Sequence, residues 1–362
     1  MIDREFDNPD LARRMISEIT ALSSSCGNLV IMEVCGTHTM EIGRLGIRSL
    51  LPGSLRLVSG PGCPVCVTPE EVIDAAVYCA RQTDCTVLSF GDMLRVPGRN
   101  GSLDTARSYG GSVEVVTSAL DALRMAKENP KRKYVFVAVG FETTIPGIAR
   151  TVELTADMNM SNLYYLLSVR TVPNVLEVLC SDSDLKISGF ILPGHVSAIT
   201  GFEAYRALYT HAIPGVITGF SPLDILGGLH RLLTMISKGM SGVENMYPRF
   251  VRHEGNPSAR HCMEKIFDPV DAVWRGIGVI PSSGLTFKEK YRRFDVREKL
   301  AIPKEDTSMP KGCSCGEVLK GKLPPDQCPL FGTTCIPDNP VGPCMVSSEG
   351  SCAAYYKYER NG

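Results

Sequence analysis

Tyr134-Val-Phe-Val-Ala-Val-Gly140-Phe-Glu-Thr-Thr-Ile-Pro-Gly147 decides the fold. An apolar run without alternation is the pattern of a strand buried on both faces, and such strands belong to parallel sheets covered by helices. The run stops at a glycine, passes polar residues and reaches Pro-Gly, which marks a sharp turn. The same pattern recurs at Leu29 to Val34, Leu55 to Ser59, Thr86 to Phe90, Val113 to Val116, Leu163 to Val169, Ile187 to Leu192 and Gly215 to Thr218, with Pro-Gly pairs starting at Pro52, Pro61, Pro97, Pro146, Pro193 and Pro214. Strand, turn and helix-like segment in repetition predict an α/β architecture. An amphipathic helix is expected from about Asp10 to Leu22.

Two stretches are alike. One ends Phe90-Gly91-Asp92 before Pro97-Gly98, the other Gly140-Phe141-Glu142 before Pro146-Gly147, with equal spacing from glycine to proline. They predict two similar α/β domains with mainly parallel sheets facing a central cleft. The expected units are 1–130, 131–295 and a small C-terminal domain at 296–362. From Val296 onward Pro, Gly, Cys and Lys dominate, and a segment so poor in apolar periodicity needs a staple such as a metal.

The chain has 362 residues, 44% apolar and 21% charged, enough for two or three domains with real cores. Lys plus Arg number 38 against 39 Asp plus Glu, a balance that favours neither nucleic acid nor an anionic membrane as partner. Met1-Ile-Asp-Arg-Glu-Phe-Asp is charged where a secretory signal is apolar, so a cytoplasmic location is expected. In a reducing compartment the 14 cysteines read as metal ligands or redox thiols rather than disulfides.

Six cysteines fall at Cys313, Cys315, Cys328, Cys335, Cys344 and Cys352. Structural zinc usually takes paired Cys-x2-4-Cys knuckles, and only Cys313-Ser-Cys315 is close, tighter than a knuckle. The irregular gaps among Cys313, Cys328, Cys335 and Cys352 suit a four-iron cluster collecting thiolates from separate loops. Zinc and free thiols remain alternatives, Cys315 could replace Cys313, and Cys344 is the other spare. Glu349 reads as a surface residue or a polar neighbour of the cluster.

Cys63-Pro-Val-Cys66 precedes Thr68-Pro69-Glu70-Glu71, read as N-cap, first helical residue and capping-box partner of a helix to about Arg81. Thiols at a helix N-terminus are biased towards thiolate, the setting of a dithiol that cycles through a disulfide; a zinc half-site is the other reading. Cys35-Gly36-Thr37-His38-Thr39 follows a strand's carboxyl end, where open α/β sheets bind ligands, and Cys35 and His38 offer a soft and a borderline ligand for iron. Asp92, Glu142 and His195 stand just past other strands, which would place acid and imidazole groups at the same edge; for Glu142 and His195 an internal hydrogen bond or a helix cap is the other reading.

Cys35-Gly-Thr-His-Thr, Gly60-Pro-Gly-Cys-Pro-Val-Cys66, Gly140-Phe-Glu-Thr-Thr144, Pro193-Gly-His-Val-Ser-Ala-Ile199 and the C-terminal cysteines together resemble the HypD family of hydrogenase maturation factors. The resemblance spans nearly the whole chain. It implies a metallocentre-assembly scaffold rather than a conventional turnover enzyme, on which the iron of [NiFe]-hydrogenase receives cyanide and carbon monoxide. It implies a small chaperone partner, HypC, whose N-terminal thiolate shares the iron, and cyanide supplied through HypE, with HypF upstream. By motif, Cys35 looks like the iron-holding thiolate, with His38, Asp92 and His195 lining the cleft and Glu142 and Glu349 in matching stretches. Cys63 and Cys66 look like a dithiol relay, and Cys313, Cys328, Cys335 and Cys352 like ligands of a [4Fe-4S] cluster. A stand-alone iron–sulfur oxidoreductase acting on a small molecule is the alternative; no dinucleotide or Walker fingerprint is present to support it.

Overall fold

A computed structural model describes residues 8–303 and 312–360; parts of the expected 1–130 and 296–362 units lie outside it. Eleven strands follow in chain order: β1 Leu29–Glu33, β2 Leu55–Ser59, β3 Cys85–Ser89, β4 Val113–Val115, β5 Lys133–Gly140, β6 Leu163–Val169, β7 Gly189–Pro193, β8 Pro214–Thr218, β9 Gly242–Asn245, β10 Phe267–Trp274 and β11 Gly278–Phe287. They form a five-stranded sheet of order β2-β1-β7-β8-β9, a four-stranded sheet β4-β3-β5-β6 and the pair β10-β11. Every pairing in the two larger sheets is parallel. Helices flank both sheets, so the α/β expectation holds. In β5 every residue after Lys133 is buried, which is why its sequence does not alternate.

The sheets interleave along the chain. β3 to β6 form one sheet from a continuous stretch, while β1 and β2 wait for β7 to β9 to complete the other. The expected boundary at residue 130 therefore falls inside the four-stranded sheet, between β4 and β5. The two similar stretches at Gly91 and Gly140 follow β3 and β5, which are hydrogen-bonded neighbours in one sheet rather than counterparts in two. Their continuations differ as well: a 3-10 turn at Gly91–Arg95 and a full helix at Ile145–Asp157. Spacing identifies a strand and its turn, but not which sheet the strand enters.

The first helix runs Pro9–Cys26, longer than expected, with Asn8 accepting from the N–H groups of Asp10 and Leu11. It packs against the helix Pro222–Ser237, whose start is closed by a capping box between Ser221 and Asp224. Ile225, Leu229, Leu232 and Leu233 of that helix are fully buried with Ile19, Ile31 and Ile191, each side chain contributing about 1.5–3 kcal/mol of burial free energy. No described helix is long and apolar enough to cross a membrane.

The β10-β11 hairpin has no counterpart among the strands expected from the sequence. A register shift between Val270 and Ala272 breaks the two-residue alternation that would have marked it. The segment from 312 to 360 contains short helices at Cys315–Leu319 and Ser351–Tyr358. It is tied to the rest of the molecule by side chains: Ser347 Oγ donates to Asp92 Oδ2 (2.6 Å), Arg95 Nη1 to the Pro337 carbonyl (3.0 Å), and Arg48 pairs with Glu359.

Candidate functional site

Parallel strands deliver the chain to one edge, and here that edge is a cavity of about 530 Å³. Its walls come from the ends of both sheets: Cys35 after β1, Phe141 and Thr144 after β5, and His195 after β7, with Pro64 and Glu349 completing it. Two glycines make this closeness possible. A Cβ at Gly62 would lie 2.3 Å from the Cys35 nitrogen, and one at Gly36 would lie 2.6 Å from the Glu349 Cβ.

Cys35 precedes the helix Gly36–Arg44. Its sulfur receives the backbone N–H groups of His38 and Thr37, yet burial outweighs them and pushes the thiol up to about 12, with the Glu349 carboxylate adding to the rise. The apoprotein therefore holds a protonated thiol at neutral pH; a cation would have to displace that proton. Glu349 is fixed by the Thr37 hydroxyl, which donates to its Oε1 at 2.7 Å.

His38 does not line the cavity. It is fully buried behind it, with Nε2 donating to the Gly219 carbonyl (2.9 Å) beside Thr218 Oγ1 (2.9 Å). A carbonyl only accepts, so Nε2 carries the proton and Nδ1 keeps its lone pair, which meets no partner among the described residues. Burial lowers the His38 pKa to about 4, so the ring is neutral. His195 lines the cavity with its side chain exposed, its pKa also lowered by partial desolvation. Both imidazoles stack on Phe220, with ring centroids 4.5 Å away for His38 and 4.0 Å for His195. Phe220 follows β8 and carries no motif signal that sequence reading could have used.

Glu142 is buried beside the cavity wall. Its Oε1 accepts the Val172 N–H (2.9 Å) at the start of the helix Val172–Ser181, its Oε2 meets no partner among the described residues, and burial raises its pKa to about 8. The carboxyl is thus neutral at pH 7. Asp92 is exposed and apart from the cavity, engaged with Ser347; it anchors the C-terminal segment.

Cys63 and Cys66 are both buried, and the Cys66 N–H donates to Cys63 Sγ at 3.3 Å. Helix Glu70–Ala80 follows, but its cap differs from the expected one. Thr68 Oγ1 donates back to the Pro64 carbonyl (2.8 Å), and Pro69 occupies the N-cap without a side-chain bond. Nor is Cys66 biased towards thiolate: burial pushes it well up, and its thiol points at the Pro343 carbonyl (3.9 Å). Desolvation of a buried sulfur outweighs the field of a helix end.

Cys66 adjoins the C-terminal thiols. Cys344 has Cys315, Cys352 and Cys66 as hydrogen-bonding neighbours, Cys313 and Cys315 stand 3.2 Å apart, and Cys335 accepts the Val341 N–H at 3.4 Å. Gly342 passes so near that a Cβ there would lie 2.5 Å and 2.6 Å from the Cys315 and Cys313 sulfurs. Cys313, Cys335 and Cys352 of the expected four ligands thus gather with the two spares, while Cys328 is half-buried in the adjoining turn and hydrogen-bonds to no other sulfur among the described residues. Among the described residues no group of three or more His, Cys, Asp or Glu is arranged to hold a single metal ion. The donor chemistry, thiols only, fits a soft iron centre.

The family model HypD, described as "Hydrogenase formation hypA family", matches residues 10–359. The hydrogenase maturation factor HypD of Escherichia coli K12 is 42% identical over 335 residues, covering 92% of this chain and 90% of that protein. The hydrogenase expression/formation protein HupD of Azotobacter chroococcum is 38% identical over 364 residues, 98% and 96% of the two chains. HypD of Cupriavidus necator is 37% identical over 365 residues, again 98% and 96%. With the family model and full-length relatives in agreement, the chain belongs to the HypD family of hydrogenase formation proteins.

Proposed function

We propose that the chain is a cytoplasmic scaffold that holds iron at Cys35 while cyanide and carbon monoxide are attached, working with a HypC-like chaperone and taking cyanide from HypE. The observation that carries this reading is the Cys35 thiol, part-open to a cavity walled by both sheets and flanked there by His195 and Glu349. A soft sulfur donor suits low-valent iron, and the open side leaves room for a second thiolate from a partner. Neutral His195 and the Glu349 carboxylate can orient or exchange protons with small ligands at that face. His38 acts from behind by fixing the helix that follows Cys35, and Glu142 by holding the turn after β5.

The thiols of Cys313, Cys328, Cys335 and Cys352 would hold a [4Fe-4S] cluster, which stores and passes single electrons. That role requires Cys328 to turn inward, or Cys315 or Cys344 to take its place. Cys63 and Cys66 are the dithiol on the path between array and cavity: Cys66 adjoins Cys344, and Pro64, between the two thiols, lines the Cys35 cavity. In this reading 296–362 is the electron-handling unit.

Infrared spectroscopy tests the central claim. Protein purified anaerobically with its chaperone from a host carrying all accessory proteins should show bands of iron-bound cyanide and carbon monoxide, lost in Cys35→Ala. Bands that persist in that variant would place the iron elsewhere. Iron and sulfide analysis of the same sample tests the cluster, and a zinc-replete, colourless protein would reject it.

A further inference from the structure

At the turn joining β10 to β11, three successive residues reach three different parts of the molecule. Trp274 is fully buried and its indole stacks on Phe141 of the cavity wall, with centroids 5.6 Å apart and planes at 22°. Arg275 is only 4% exposed. Its backbone N–H donates to the Val67 carbonyl (2.9 Å), Nη1 to the Pro97 carbonyl (2.9 Å) and Nη2 to Glu70 Oε1 (2.6 Å). Gly276, at φ +81°, presses on the residue after Cys315: a Cβ on Gly276 would lie 2.7 Å from the Gly316 Cα, and one on Gly316 would lie 2.4 Å from the Gly276 oxygen.

A buried ion pair is a poor way to gain stability, since apolar residues of similar size often do as well or better. The hairpin is held without that charge, internally by its ladder and against the cavity wall by Trp274 stacked on Phe141. What an apolar side chain could not do is fork. The guanidinium spans Glu70, in the first turn after Cys66, and Pro97, beyond β3, while the main chain of the same residue holds Val67. A disulfide closes only within a narrow range of separations between its two backbone positions. Whatever anchors the second cysteine therefore decides how readily the bond forms.

We propose that Arg275 is a positioning residue for the Cys63/Cys66 pair, its fork tying Glu70, in the turn after Cys66, to the Pro97 carbonyl and so setting the dithiol–disulfide equilibrium of that pair. The proposal rests on the redox reading of Cys63 and Cys66 given above. The anchored arrangement is the free dithiol, with Cys66 Sγ directed at the Pro343 carbonyl, so loosening the anchor weakens the hold on that form and the oxidised form gains.

The test uses the full-length chain equilibrated anaerobically in glutathione buffers, with Cys63 and Cys66 scored by differential alkylation and mass spectrometry of the tryptic peptide 57–81. Arg275→Lys keeps the charge and loses the fork. Glu70→Gln/Arg275→Met removes both charges, so neither partner is left buried alone, and it serves if the single variant unfolds. Both should shift the pair tenfold or more towards disulfide, about 30 mV for a two-electron couple, with the thermal midpoint of the double variant close to that of the unaltered protein. If the unaltered protein shows a measurable couple and both variants stay within twofold of it, the positioning role is overturned while the redox reading stands. If the unaltered protein forms no Cys63–Cys66 disulfide in any buffer, the redox reading fails and the proposal falls with it.

Discussion

Replacing Gly36 by alanine should open the Cys35 cavity while leaving the rest of the fold in place. The new methyl would sit 2.6 Å from the Glu349 Cβ and 2.8 Å from its carbonyl oxygen, distances at which the segment carrying Glu349 must move. Overpacking of this kind costs about 1–3 kcal/mol. Against it stands the gain of alanine over glycine in a helix, at most about 1 kcal/mol, since Gly36 begins the helix Gly36–Arg44. The gain is shared by every folded state, whereas the clash exists only when the C-terminal segment is docked. The docking equilibrium therefore feels the whole clash, about 1–3 kcal/mol or roughly five- to 150-fold towards undocking, while in overall stability the helix gain offsets part of it. Two readouts report it: the alkylation rate of Cys35 by a small maleimide, scored by peptide mapping, and amide exchange across 345–358. Both should rise together. Thr37→Val, which removes the 2.7 Å bond to Glu349, should act in the same direction. Unchanged alkylation and exchange in Gly36→Ala would show that the contact with Glu349 is not what closes the cavity.

Three further outcomes are expected. Glu142, raised from 4.5 to about 8, keeps its proton in the folded chain and loses it in the unfolded one between those values, so it contributes stability at low pH that disappears as pH rises towards 8, at about 1.4 kcal/mol per pH unit; Glu142→Gln keeps the acceptor for Val172 and should flatten the slope of urea midpoints between pH 5 and 8, and parallel slopes would exclude the neutral carboxyl. Gly342→Ala drives a methyl between the Cys313 and Cys315 sulfurs and should lower iron and sulfide content by half or more in anaerobically purified protein, with full content counting against an iron site in this array. Phe220→Ala removes the ring that covers His195; because burial is what lowers that imidazole, its titration by NMR should move upward towards the ordinary histidine value, and a downward shift would refute the assignment of cause.

The strands were readable because parallel sheets demand continuous apolar runs, and all eight candidates coincide with strands to within two residues. Sheet membership was not readable: β1 pairs with β7 across more than 150 intervening positions, and nothing local in either run records that choice. Among site residues, Cys35 and His195, read as lying past strand ends, line one cavity, and Glu349, read as a surface residue or a neighbour of the C-terminal cysteines, lines it as well. Asp92 occupies an equivalent strand end but serves an anchoring bond to Ser347 of the C-terminal segment. Phe220, Trp274 and Arg275 were silent in the sequence. Each acts by packing or by bonds to backbone carbonyls, and such roles leave no spacing pattern.

The interleaving of the two sheets also dictates an order of events during synthesis. The stretch 85–169 contains every strand of its sheet and can close as soon as it leaves the ribosome, since local pairings cost little chain entropy. β1 and β2, made earlier, must remain without their central neighbour until β7 appears at 189, and Glu349 follows more than 150 residues after that. Cys35 is thus made long before it is enclosed. A nascent chain carries it as a loose, single sulfur, and only a polypeptide extended past Glu349 presents the walled pocket that sets it apart from the other thiols of the chain.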